Sequence, residues 1–305
     1  MSRPLLLTLS LSLVLAFLFW LPVCNFALHL PAEPEGTLHF ALTPSPLLAQ
    51  EAFPSPTSAP PTSEATYQQL FSDYQFQLNL YRQAHDDYQL ARDRYLQFKT
   101  LTTKQETLES FRQLLKARNT TVKTYLLALK TRLQNTPGVT PLQQVRYTNY
   151  LNQQVAFIDS IQSQADSFAT LPDGFKISQQ FDSRYLDIEV LSYEILHTIL
   201  MGRQLHLKDQ VQLQINTTKT LLSRMASLGG DTTKEQRWAL EADNRLLRHQ
   251  QKLSQSLEQL ALLKKNRSNR PDQFTAISLT LQEANQYLKE TVSFLKETLR
   301  EVKRG

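Results

Sequence analysis

The stretch LDIEVLSYEILHTILM, Leu186 to Met201, is the most apolar helical pattern after the N-terminal region. On an α-helix successive side chains turn by about 100°, so an amphipathic helix keeps its apolar residues in one stripe. Here Leu186, Ile188, Val190, Leu191, Ile195, Leu196, Ile199 and Leu200 point to nearly every side. A helix that is apolar all round is buried all round. This stretch belongs to a helical pattern running from about Ser178 to Leu228, ~75 Å long at ~1.5 Å per residue, against ~50 Å for its neighbours. It is therefore expected at the centre, with other helices packed on it from several sides. Gly202, directly after it, allows a kink or a close approach.

Five further helical patterns flank this one. Upstream, helix one is expected from Ser63 to about Leu101. It carries Tyr67, Tyr74, Tyr81, Tyr88 and Tyr95, a seven-residue repeat that holds five of the chain's 11 tyrosines. Two helical turns separate neighbours in this repeat, so the rings form one stripe, and a strict heptad implies a shallow left-handed supercoil. Thr103-Lys-Gln-Glu106 reads as a capping box that opens helix two, which ends near Asn135 before Thr136-Pro137-Gly138. Its core face is Leu108, Phe111, Leu115, Val122, Leu126, Leu129 and Leu133. Helix three starts with Thr140 as cap and Pro141 in the first turn, and presents Leu142, Val145, Val155, Ile158, Ala165 and Phe168. It stops at Leu171-Pro-Asp-Gly174, read as a turn. Downstream, Thr233-Lys-Glu-Gln236 opens helix five, with Trp238, Ala242, Leu246, Leu253, Leu257 and Leu260 inward. Helix six opens at Pro271 and uses Phe274, Ile277, Leu281, Ala284, Leu288, Leu295, Leu299 and Val302. Between the two terminal hairpins, Leu115, Asn119, Lys123, Leu129, Lys130 and Leu133 recur 166 positions later, a similarity too sparse to establish a duplication.

Composition agrees with an all-α chain. Of 305 residues only 7 are glycine, and 41% are hydrophobic. The single cysteine, Cys24, excludes an internal disulfide and any multi-cysteine metal site. After residue 61 lie all but one of the 33 bases and all but three of the 28 acids, a net charge of +7. These bases are spread along the helices. The pattern reads as a solvated surface with mild attraction to anionic polymers, and nucleic acid is disfavoured as a partner.

The N-terminal region differs. Arg3 precedes the uncharged run Leu5–Leu21, so residues 1–27 read as a signal peptide or signal anchor with the remainder translocated. Leu21-Pro-Val-Cys24 resembles a lipoprotein box, with Val23 where a small residue is wanted. Retention as an anchor is the first reading and cleavage the second. Residues 28–61 hold eight of the 14 prolines and read as a disordered linker, with apolar patches at Leu38–Leu42 and Pro46–Ala49. About 34 residues at ~3 Å each reach up to ~100 Å.

Few motifs carry chemistry. Glu194-Ile-Leu-His197 has the i, i+3 spacing of a di-iron ligand pair, but no second Glu-x-x-His exists, and mutual satisfaction of the two side chains is the plainer reading. His85-Asp86-Asp87 reads as a solvated face. Neither a phosphate loop nor a nucleophile elbow occurs. Asn119-Thr-Thr, Asn216-Thr-Thr and Asn266-Arg-Ser fit the N-glycosylation pattern.

The expectation is an elongated all-α bundle of six long, mostly antiparallel helices over residues 62–305, with two sub-bundles sharing the long fourth helix. The leading function is a non-enzymatic, exported scaffold or adaptor, tethered at the outer face of the cytoplasmic membrane, or secreted if residues 1–27 are removed. It would need no cofactor or metal, and would act on protein partners. The alternative is a glycan- or cell-wall-polymer-binding module in which Tyr67, Tyr74, Tyr81, Tyr88 and Tyr95 contact the ligand.

Overall fold

Six α-helices and no strand make up the described part of the chain. The structure is a computed structural model that describes residues 63–266 and 269–302. The expected signal or anchor, Cys24 and the proline-rich linker lie outside the described residues. The helices are α1 (Ser63–Phe98), α2 (Leu101–Gln134), α3 (Pro141–Ser167), α4 (Leu171–Ser227), α5 (Thr233–Lys265) and α6 (Arg270–Val302).

Side-chain partners fix the directions. The Thr107 hydroxyl donates to the Ala91 carbonyl and that of Thr121 to Gln77, so α1 and α2 run antiparallel. Lys116–Asp166 and Lys123–Asp159 make α2 and α3 antiparallel as well. Arg118–Asp182 and the Phe111–Phe175 ring pair set α4 parallel to α2. Beyond this, Lys264–Glu194 and Lys219–Asp243 align α5 against α4, and Arg245–Glu290 with Lys252–Glu283 aligns α6 against α5. Helices α1 to α3 therefore lie along the first part of α4, and α5 and α6 along its later part. The second group closes on Val211, Ile215, Ala242, Leu246, Leu288 and Leu295.

The two groups overlap on the apolar stretch Leu186–Met201. Within it Ser192 to Ile199 is buried without interruption, as a helix surface covered from all sides requires. The first group ends at Gly202. There the α2–α3 turn lies against α4 so closely that a Cβ on Gly138 would stand 2.0 Å from the Gly202 carbonyl oxygen. Gly202 thus serves the close approach of a turn.

Several expected boundaries move. α4 begins at Leu171, not near Ser178, so Leu171-Pro-Asp-Gly174 is its first turn. Thr170 caps it, Pro172 stands where no N–H is needed, and Asp173 lies at the positive end of the helix dipole. Gly174 is required there because a Cβ would meet the Phe111 and Phe168 rings at 2.7 Å. At 57 residues α4 spans ~85 Å. The capping box of α2 is Thr100 with Thr103, not Thr103 with Glu106, and α1 stops at Phe98. The capping box expected at Thr233 is not formed: the N-cap position of α5 is Thr232, whose side chain makes no cap hydrogen bond, and the Asp231 carboxylate accepts from the Thr233 N–H and hydroxyl. In α3, Leu142 and Val145 are exposed, at 80% and 60%. Its buried stripe is Leu151, Gln154, Ile158, Ile161 and Ala165, and the same period continued backward reaches Tyr147 and Gln144 instead. In α5, Leu257 is likewise exposed, and the buried line passes through His249 and Ser256.

Candidate functional site

The tyrosine stripe is interior. Tyr67, Tyr74, Tyr81 and Tyr88 are 3–5% exposed, and Tyr95 is partly exposed. Tyr88 stacks on Phe111 at 4.9 Å, Tyr74 tilts against Tyr125 at 5.4 Å, and the Arg132 guanidinium lies 4.7 Å above the Tyr67 ring. Burial raises the Tyr88 pKa and pushes that of Tyr81 up to about 12, where the Arg118 charge opposes the rise only in part. Four rings are therefore packing groups between α1 and its neighbours, with no open face.

Beside Tyr81 sits a polar cluster that periodicity could not announce. Arg118 Nη1 donates to the Ser178 hydroxyl at 3.0 Å and reaches Asp182 at 3.4 Å, and its guanidinium rests 4.0 Å over the Phe181 ring. Its Nε and Nη2, and both amide atoms of Asn119, have no hydrogen-bond partner among the described residues. Burial depresses the Arg118 pKa and raises that of Asp182, against the attraction between them. The one sequence signal was a base on the core line of helix two, between Leu115 and Leu126. Asn119 is 0% exposed, so the first of the three sequons is closed in the folded chain, whereas Asn216 and Asn266 are exposed.

A second polar group lies where the two sub-bundles overlap. Glu194 and His197 do not satisfy each other. Glu194 takes Lys264 of α5 at 2.8 Å and the Tyr147 hydroxyl of α3 at 3.5 Å. The Ser256 hydroxyl donates to the Leu253 carbonyl, which leaves its oxygen to accept from His197 Nε2 at 3.0 Å. Side chains three residues apart on α4 thus reach different helices. Burial lowers the His197 pKa to about 4. Close by, Glu189 and Arg270 form a buried pair at 3.1 Å. Burial raises the Glu189 pKa, and the Arg270 hydrogen bond counters it. His249 Nδ1 donates to the Ala284 carbonyl, and burial lowers its pKa too.

His85-Asp86-Asp87 splits. His85 is buried and bonded to Gln89, while both aspartates are exposed. This corrects the solvated-face reading for the histidine. Among the described residues no group of three or more His, Cys, Asp or Glu is arranged to hold a metal ion, and no helix is long and apolar enough to cross a membrane. An open groove of about 790 Å³ lies between α1 and α2, lined by Leu80, Ala84, Leu90 and Ala91 together with Arg94, Glu109 and Lys116. Chemically, the buried charges hold helices together, and the groove offers contact area. No protein-family model, curated protein or solved structure matches this chain at significance.

Proposed function

We propose that this protein is a non-enzymatic helical scaffold or adaptor that acts through protein–protein contacts, exported and held at the outer face of the cytoplasmic membrane by its N-terminal apolar segment. One observation carries the reading: large apolar side chains stand on outer helix faces, while the charged and imidazole groups that the fold brings together are taken up in bonds between helices. Leu213, Leu240, Leu247 and Leu262 are all more than half exposed. Glu189, Glu194, His197, Arg118 and Arg270 are buried in bonds between helices. Apolar rows beside polar positions are what protein contacts use, whereas a reaction needs polar groups that substrate can reach.

The glycan-binding alternative has one accessible ring of the stripe to work with, Tyr95. Affinity capture with the full chain, extracted in mild detergent, separates the two. The expected result is a discrete protein retained by the wild type and lost with Leu240→Glu/Leu247→Glu, with helical circular dichroism unchanged. Retention on glycan polymer that disappears with Tyr95→Ala would replace the scaffold reading with the alternative.

A further inference from the structure

α1 carries a second stripe opposite its tyrosines. Phe76, Leu80, Gln83, Asp87, Leu90 and Arg94 follow alternating steps of four and three, the spacing of a coiled-coil seam. All six are exposed, with Phe76 at 61% and Leu90 at 54%. Leu80, Gln83, Asp87, Leu90 and Arg94 also line the α1–α2 groove. Among the described residues no helix covers this row, and its order says what fits it.

We infer that this face binds a second copy of the same chain, with the two α1 helices antiparallel about a two-fold axis at the level of His85. In that register Leu80 faces Leu90, Phe76 faces Arg94, and Gln83 faces Asp87, each pair occurring twice as an isologous contact demands. The guanidinium of Arg94 lies over the Phe76 ring of the second copy and within one turn of its Asp73, an exposed carboxylate. The Gln83 amide donates to Asp87. A parallel pairing loses all of this, because it stacks Arg94 on Arg94 and Asp87 on Asp87. This contact deepens the scaffold reading and rests on it, since it names the first partner such a scaffold would hold.

The test uses the full chain in density-matched detergent. Sedimentation equilibrium is expected to give twice the chain mass, and Leu80→Glu/Leu90→Glu to halve it with helical circular dichroism unchanged. Register is read separately, in a Cys24→Ser background. A short bis-maleimide should join Leu80→Cys chains to Leu90→Cys chains when the two are mixed, across a helix spacing of ~8–10 Å. It should fail on either alone, because like positions then stand ~15 Å apart along the axis. A wild type of single-chain mass overturns the self-contact, even if it still captures another protein and so leaves the scaffold reading standing. Cross-linking of Leu80→Cys chains alone overturns the antiparallel register.

Discussion

His197 is 1% exposed and gives its Nε2 hydrogen to Ser256. In the unfolded chain its ring takes a proton near pH 6.5, but in the fold burial delays this to about pH 4. Between those values the unfolded state binds more protons, so stability falls as pH falls through that window. The cost amounts to about 3 kcal/mol across the full interval. His249, lowered by burial and by the charge of Lys208, adds in the same direction. Asp182 and Glu189, raised by burial, oppose both in the carboxylate range, because there the folded state is protonated first. His197→Leu keeps an apolar volume and removes one titration. Urea midpoints for the wild type should drop between pH 7 and pH 5, and the variant should drop less. An identical slope in both proteins would count against this account. The sequence offered Glu194 and His197 as a spaced pair but not their partners, because those partners belong to α3 and α5 and depend on how three helices meet. The partners of Arg118 were unreadable for the same reason, since a base among leucines meets Ser178, Asp182 and Phe181 only once α4 is in place.

Helix count and most core faces were legible, because a 3.6-residue period survives whatever packs on it. The inward faces of α2 and α6 match their leucine spacing closely. The ends were harder. Leu171-Pro-Asp-Gly174 has the composition of a turn, yet Thr170 caps it and the Phe111 and Phe168 rings demand a glycine, so the helix starts there. Leu142 and Val145 mislead because an apolar pair near a helix start mimics the core stripe. Connections reveal a second effect that local chemistry hides. Gly138 and Gly229 both hold positive φ, +80° and +89°. An alanine at either costs about 1 kcal/mol of backbone strain. A Cβ at Gly229 meets nothing within 4 Å, whereas one at Gly138 strikes the Gly202 carbonyl of α4. Gly138→Ala should therefore cost at least ~2 kcal/mol more than Gly229→Ala in chemical unfolding. Equal costs would mean that the α2–α3 turn does not bear on α4.

Within the helical unit, α4 is a common wall. Its segment Ser192–Ile199 is buried from several sides, by the α1–α3 group and by α5 and α6, which is why that stretch could not be amphipathic. The two sub-bundles then share stability as well as a helix. A cavity in the shared segment must weaken both, while a cavity outside it weakens one. Ile195→Ala and Leu222→Ala remove comparable buried side chains, at 0% and 1% exposure, and each should cost about 2–5 kcal/mol. Their reach should differ. Native-state hydrogen exchange of Ile195→Ala should speed up in α2 and in α5 and α6 together, because the amides of both groups open through the wall they share. With Leu222→Ala the acceleration should be confined to the later part of α4 and to α5 and α6, leaving the Leu108–Leu133 amides of α2 at wild-type rates. If Ile195→Ala left either group unchanged, the sub-bundles would be independent units strung on one helix, and the apolar stretch at Leu186–Met201 would be a local core with no coupling role.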